Sequence, residues 1–248
     1  MKSGIAAMIA AISQVDFKKL KKGIKLYFTY DEEIGFTGIQ EVVKNEKHFP
    51  ETMLIGEPTN NEIIVGSKGL MEYRISFQGV KAHSSTPDKG KNAIMSAVSF
   101  INKLNKFYET EIKKEQDKCF EIPYTTMNIG KIEGGSAINS VPDFCEFLVD
   151  FRTTNTRIES RIIEKIQELE KECEAKVETI NKLPAFFYET NLSSKTCNFI
   201  TEASFLKCNC IILGTGPVTA HETNEYITKE SLRQLVEQYK KMIEENCN

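Results

Sequence analysis

The stretch FTYDEEIG at positions 28–35 places three adjacent carboxylates directly after an apolar run. Asp31, Glu32 and Glu33 repel one another, and an apolar strand gains no packing energy from them. Two interpretations fit this stretch. It is either a solvated acidic turn, which is common on protein surfaces, or a place where a bound cation compensates the charge.

Other metal-binding residue types also follow apolar runs. Glu57 ends the run in IGEPT, and His221 lies in GTGPVTAHETNEYI, just after NCIILG. A single loop histidine is usually structural, and His48 in NEKHFP is expected at the surface. Taken with Glu33, however, Glu57 and His221 form a mixed carboxylate–imidazole set. Such a set suits Zn²⁺, Mn²⁺ or Co²⁺ better than Mg²⁺ or Ca²⁺. His83, in GVKAHSSTPDKGKNAI, lies in another loop.

The composition is that of an ordinary soluble protein. The chain has 248 residues, 40% hydrophobic and 27% charged, and a formal net charge of −3. It shows no basic footprint for nucleic acid and no polybasic membrane patch. The seven cysteines show no CxxC spacing, which disfavours zinc ligation by cysteine and favours a reduced, cytoplasmic setting.

The two ends of the chain have the pattern of an α/β domain. Long apolar runs typical of strands covered on both faces alternate with amphipathic stretches typical of helices. The pattern predicts helices at 4–20, 36–46 and 193–206 and near the C-terminus, and strands at 24–30, 52–58 and 209–214. Because ligands bind at the carboxyl ends of parallel strands, residues 31–33, Glu57 and the loop after 214 are expected at a site.

The middle of the chain has a different pattern. Strands that alternate polar and apolar residues indicate a sheet with one wet face. The predicted order βαββαβ is that of a ferredoxin-like domain. Its elements are expected at 70–79, 92–111, 124–134, 145–154, 157–173 and 176–183. The sequence thus predicts an α/β domain from residues 1–69 and 183–248, with helices on both faces of a mixed sheet, and an inserted α+β domain at 70–182.

Six stretches together carry a family resemblance. They are MKSGIAAM, FTYDEEIG, IGEPT, GSKG…GVKAHSSTPDKGKNAI, NIGKIEGGSAINSVPDFCEFLVDFR and AHETNEYI, in that order. The chain resembles the acetylornithine deacetylase and succinyl-diaminopimelate desuccinylase family of zinc amidohydrolases, relatives of aminoacylase and the zinc carboxypeptidases. The resemblance covers essentially the whole chain and favours the acetylornithine deacetylase branch. It implies a metal-dependent exopeptidase-like domain that carries an inserted dimerisation or lid domain.

The resemblance also implies roles for individual residues. Glu32 matches the catalytic carboxylate, Glu33 and His221 match ligands of one metal, and Glu57 matches a ligand of the other. His83 matches a histidine that reaches the active site of the partner subunit in a homodimer. The expected cofactor is a pair of zinc ions, with cobalt or manganese as substitutes.

Two further positions resemble substrate contacts. Asn139 lies in the loop GGSAINSVP, and Arg152 follows LVDF. Arg152 has an alternative interpretation, because an arginine at a strand end is also a common structural ion-pair partner. The implied substrate is an N-acyl amino acid or a short peptide, with no nucleic acid or membrane partner.

One departure from the family pattern affects the expected activity. In the family, a His-x-Asp motif and then a bridging Asp precede the Met-Lys-Gly, and here Met1 takes that Met position. We therefore expect a truncated chain that lacks normal hydrolase activity and binds zinc weakly. The alternatives are a succinyl-diaminopimelate desuccinylase or a di- or tripeptidase of the same superfamily, and, from another class, a non-catalytic dimerisation module.

Overall fold

The structure is a computed structural model that describes residues 2–247. The chain divides into two compact units. The terminal unit comprises the chain through Ser67, Phe187–Cys197 and the chain from Thr201 onward, and the inserted unit comprises Lys68–Phe186 with Asn198–Ile200. The helices and strands, in chain order, are α1 (Lys2–Ser13), α2 (Thr37–Asn45), β1 (Thr52–Ile55), β2 (Ile64–Ser67), β3 (Gly69–Gln78), α3 (Ala93–Phe107), β4 (Thr126–Gly134), β5 (Phe144–Thr153), α4 (Thr156–Glu172), β6 (Ala175–Leu183), β7 (Phe186–Phe187), β8 (Lys195–Cys197), β9 (Asn209–Ile212) and α5 (Lys229–Cys247).

The terminal unit is built around strand β9. This strand pairs in parallel with β1 and antiparallel with β2, and β8 pairs in parallel with β2. Helices α1 and α5 pack against each other and cover the apolar side chains of and after β9. The buried Tyr239 hydroxyl of α5 donates to the carbonyl oxygen of Leu213, which fixes α5 to the end of β9.

The inserted unit has the predicted βαββαβ order. Its four antiparallel strands lie in the order β4-β5-β3-β6. Buried and less buried residues alternate along β3 and β5, as the period-two pattern predicts. Helices α3 and α4 bury their apolar stripes against the covered face, where Phe77, Phe100 and Phe147 pack with ring centroids 5.8–6.2 Å apart. A short π-helix, Tyr108–Ile112, continues α3.

The predicted strand at 24–30 is wrong. No residue of this segment belongs to a strand in the described part of the chain, and Leu26, Phe28 and Tyr30 are 38%, 56% and 50% exposed. The segment is held to α2 instead, where the Gly38 N–H donates to the Tyr30 carbonyl at 3.0 Å. A strand requires a neighbour that satisfies its backbone, and none of the described residues supplies one for 24–30.

The predicted helix at 193–206 is also wrong, and the first helix is shorter than predicted. Residues 195–197 form β8 against β2, and Glu202–Phe205 form one turn of 3-10 helix. Pairing with β2 satisfies the backbone of Lys195–Cys197 and overrides its helical pattern. Helix α1 ends at Ser13, and a separate 3-10 turn follows at Phe17–Lys19. The other predicted elements are present within a few residues of their expected ends.

Within residues 2–247, none of the helices combines the length and the apolar character that a membrane crossing requires.

Candidate functional site

Glu32 and Glu33 lie on a tight turn. They form a single turn of 3-10 helix that begins after Asp31, whose backbone is left-handed at φ 55°. The Asp31 carbonyl accepts hydrogen bonds from the backbone N–H groups three and five residues further on, at 3.3 and 2.9 Å. Non-glycine residues rarely adopt this conformation, and such outliers concentrate at functional sites. The Asp31 carbonyl thus closes the turn, and Glu32 and Glu33 are the residues within it.

His221 contacts Glu33. Its Nε2 lies 3.4 Å from Glu33 Oε1, and both side chains are mostly exposed. The loop that carries His221 follows β9 and is closed on itself. The Thr219 hydroxyl donates to the Tyr226 carbonyl at 3.2 Å and accepts from the Tyr226 N–H at 3.1 Å. Two of the three predicted metal ligands therefore lie side by side.

Glu57 reaches the same end of the sheet. It lies two residues beyond β1, and the parallel pairing of β1 with β9 brings the carboxyl ends of both strands together. Its Oε1 is buried and has no hydrogen-bond partner among the described residues. The backbone approach is close, because a Cβ on Gly214 would lie 2.0 Å from the Glu57 carbonyl oxygen. Gly214 is therefore required for Glu57 to occupy this position.

A fourth carboxylate, Glu202, was missed by the sequence analysis. It is only 8% exposed, and its Oε1 is another buried atom without a hydrogen-bond partner among residues 2–247. The turn that carries it packs against the 31–36 loop, where the Phe205 and Phe36 ring centroids lie 5.1 Å apart. The sequence predicted a helix over 193–206, and this incorrect prediction gave no reason to single out Glu202 as a site residue. The sequence feature that could have indicated a short turn here is Thr201. Its hydroxyl caps the turn by accepting a hydrogen bond from the Ala203 N–H at 3.2 Å.

Burial and neighbouring carboxylates disfavour the ionised forms of Glu32 and Glu57. Burial raises the pKa of Glu32 to about 7, and the charges of Glu33 and Glu202 add to the shift while His221 opposes it. Burial likewise raises the pKa of Glu57 to about 7, with further contributions from Glu32 and Glu202. Burial also raises the pKa of Glu202. A cation in this cluster would relieve both the desolvation and the repulsion.

The residues fit a divalent metal in donor type. Glu33 and His221 offer an oxygen and an imidazole nitrogen at one point, and the unpartnered Oε1 of Glu57 is a suitable ligand for Zn²⁺, Mn²⁺ or Co²⁺. The number of candidate metal ligands that lie together is small. Residues 2–247 contain no group of three or more His, Cys, Asp or Glu that could hold a metal ion. The described chain therefore supplies part of a coordination shell.

In the inserted unit, His83 and Asn139 lie in two loops that hydrogen-bond to each other. The Ser84 N–H donates to the Asn139 carbonyl at 3.0 Å, and His83 forms an isolated bridge with Ser140. His83 Nδ1 lies 2.7 Å from the Ser85 hydroxyl, which orients the ring. Two of the residues singled out by the sequence thus belong to one loop cluster.

Arg152 is engaged in an ion pair. Its Nε lies 3.2 Å from Asp150 Oδ1 and 3.2 Å from Asp150 Oδ2, on the same face of β5. This geometry is the structural alternative that the sequence left open for Arg152. A contact of Arg152 with substrate stays a prediction.

Known proteins match both units of the chain. Residues 65–178 match the peptidase dimerisation domain of the M20 family. The chain is 32% identical to acetylornithine deacetylase of Buchnera aphidicola over 92% of its own length, and it spans 65% of the length of that relative. It is 30% identical to acetylornithine deacetylase of Pectobacterium carotovorum over its whole length, and it spans 70% of that relative.

Solved structures share the fold. A tripeptidase from Staphylococcus aureus superposes with a TM-score of 0.77 at 24% identity, over 99% of this chain and 71% of the other. An M20 family metallo-carboxypeptidase from Sulfolobus solfataricus superposes with a TM-score of 0.73 at 16% identity, over 98% and 75%. At these identities the likeness concerns the architecture alone, and it agrees with the predicted fold class.

Proposed function

Because the chain belongs to the acetylornithine deacetylase family of M20 metal-dependent hydrolases, we propose that it forms the larger part of an amidohydrolase that cleaves an N-acyl amino acid, with N-acetylornithine as the first candidate substrate. One observation carries the proposal. Glu32, Glu33, Glu57 and His221, from three separate segments, gather at the carboxyl ends of two parallel strands.

The residues divide into those that hold the metal and one that moves a proton. Glu33, His221 and Glu57 would hold divalent metal, with zinc as the expected ion and cobalt or manganese as substitutes. The metal, when bound, supplies the Lewis acid that activates water and polarises the amide carbonyl. Glu32 takes the proton of the attacking water and delivers it to the leaving amine. A carboxylate suits both steps when its pKa lies near the operating pH, and burial already raises the pKa of Glu32 to about 7 in the metal-free chain.

The inserted unit would supply the remaining groups. The His83 side chain donates a hydrogen bond to the oxyanion that develops on the amide oxygen. Arg152 pairs with a substrate carboxylate through its planar guanidinium group, and Asn139 contacts the substrate. In this proposal His83 acts on the site of a second copy in a homodimer, for which the match of residues 65–178 to a dimerisation domain is the support.

We expect the chain by itself to be a poor catalyst. A catalytic zinc site has three protein ligands and a water, whereas the described residues place only Glu33 and His221 in contact. The spacing of the seven cysteines, without a CxxC motif, favours a reducing, cytoplasmic setting.

The test is a hydrolysis assay in two arms with Co²⁺ or Zn²⁺. One arm uses the chain as it is, and the other uses the chain fused behind the first third of the Pectobacterium relative. Acetate release from N-acetylornithine by the fusion, and its loss in Glu32→Gln, is the expected result. Hydrolysis of only N-succinyl-diaminopimelate or of a tripeptide would identify an alternative of the same superfamily. No hydrolysis of any N-acyl amino acid or peptide, together with a stable metal-free dimer, would indicate the non-catalytic module.

A further inference from the structure

We propose that residues 24–30 form a docking surface for an apolar β-strand of a second polypeptide. The sequence of this partner corresponds to the part of the M20 relatives that the chain does not span. The inference goes beyond the proposed function, because it names a macromolecular partner and requires no catalysis. It rests on the structure of the segment and on membership of the family.

The first support is the backbone of the segment. Within the described chain, residues 24–29 make no backbone–backbone hydrogen bond. The segment is nevertheless held in place at two points. The Tyr27 hydroxyl donates to Glu46 Oε2 at 2.7 Å, and the Tyr30 carbonyl accepts from the Gly38 N–H of α2 at 3.0 Å. An anchored backbone with open donors and acceptors is what the addition of a further strand requires.

The second support is the alternation of the side chains. Leu26, Phe28 and Tyr30 are exposed, whereas Tyr27 and Thr29 between them are less exposed. This period of two residues is that of a β-strand. The exposed side carries the large apolar groups, and burying such groups against a partner is favourable. A partner that covers these side chains and also pairs with the backbone has to be an apolar strand.

The third support concerns the source of that strand. The tripeptidase from Staphylococcus aureus superposes on 99% of this chain, and 71% of the tripeptidase is covered, so the longer relative carries chain outside the shared fold. The terminal unit has apolar surface for more than one added element. Ile5 and Ile9, one turn apart on α1, are exposed as well. The additional chain of the relatives therefore suits residues 24–30 both in chemistry and in extent.

The test combines the full chain with a separate polypeptide, the part of the Pectobacterium relative that this chain does not span. The two are co-expressed and, in a second preparation, mixed. Co-purification and calorimetry detect the complex, and amide hydrogen exchange locates the contact. We expect a one-to-one complex in which the amides of residues 24–30 exchange at least tenfold more slowly than in the chain alone.

Variants of one side chain test the apolar contact. Phe28→Glu should weaken the complex at least tenfold, because it forces a charge into an apolar interface. Phe28→Leu should retain the complex. Phe17→Glu is the matched control, because Phe17 is exposed in the same unit and lies outside residues 24–30. This control should bind like the wild type.

Three results would overturn the proposal. The first is the absence of a complex in both preparations. The second is a complex in which residues 24–30 exchange as fast as before and F28E binds like F17E. The third is slowed exchange that depends on the concentration of this chain alone, which would make a second copy the occupant. A complex without hydrolysis counts against the proposed function only, and an active fused chain without any complex between separate polypeptides counts against the docking surface only.

Discussion

At the scale of single residues, Glu32 and Glu57 occupy positions in which the ionised carboxylate is disfavoured. Glu32 and Glu57 both have a pKa of about 7, primarily because burial penalises their ionised forms. His221 lies beside Glu33, the most exposed part of the cluster.

The contact between His221 and Glu33 leads to a first prediction. His221→Asn should reduce Co²⁺ affinity by at least tenfold, because it removes the imidazole that contacts Glu33. Calorimetric titration measures the change. His48→Asn serves as the control, since His48 lies on the 46–50 connection, away from the cluster residues in sequence. This variant should bind Co²⁺ with the wild-type affinity.

The raised pKa values predict the pH dependence of stability without metal. Both glutamates have folded-state pKa values of about 7, above the ordinary value of 4.5. Their stabilising contribution is complete below pH 4.5 and is lost as the pH rises through 7. The metal-free chain should therefore melt at a lower temperature at pH 8 than at pH 5.5, as calorimetry would measure.

Two variations check this explanation. Added Co²⁺ should raise the melting temperature more at the higher pH, because protons no longer compete with the metal. The double variant Glu32→Gln, Glu57→Gln should flatten the dependence. An unchanged slope in that variant would assign the pH dependence to other groups.

At the scale of secondary structure elements, the site depends on the close approach of two strand ends. Gly214, after β9, lies where any Cβ would be 2.0 Å from the Glu57 carbonyl oxygen. The contact is with backbone, which cannot move aside without shifting the end of β1. Register between β1 and β9 thus sets the position of Glu57 relative to the His221 loop.

We predict that Gly214→Ala destabilises the chain by about 1–3 kcal/mol, the usual effect of forcing extra volume into a packed position. The measurement is urea unfolding followed by circular dichroism. Gly23→Ala is the matched control, because a Cβ there meets no atom within 4 Å. A G214A chain as stable as G23A would show that β1 and β9 tolerate a wider separation.

At the scale of the whole molecule, the inserted unit has one edge suited to association. Strand β4 is an edge strand with Ile132 51% exposed, and α3 exposes Met95 and Val98 at 61% and 37%. Helix α3 contacts β5 and β3, whereas α4 contacts the far strand β6, so α3 is the helix nearer to β4. An open strand edge with nearby apolar side chains favours pairing with a second copy.

We predict that the chain is a homodimer in light scattering after gel filtration, and that the triple change Met95→Glu, Val98→Glu, Ile132→Glu makes it a monomer, because charges repel across a two-fold interface. Ile180→Glu is the control. Ile180 is 42% exposed on β6, at the opposite edge of the same sheet. Dimers that survive the triple change but not I180E would place the interface at β6.

The sequence by itself determined the inserted βαββαβ unit and the identity of most candidate site residues. The period-two strands and the amphipathic helices α3 and α4 encode which face is buried, so local pattern suffices for them. Only the tertiary structure decided that 24–30 is not a strand, that 195–197 pairs with β2, that Glu33 contacts His221, and that Glu202 joins the acidic cluster. Strand pairing and the meeting of distant side chains depend on which neighbour satisfies a backbone edge or a buried charge, and that information is not contained in any local window of the chain.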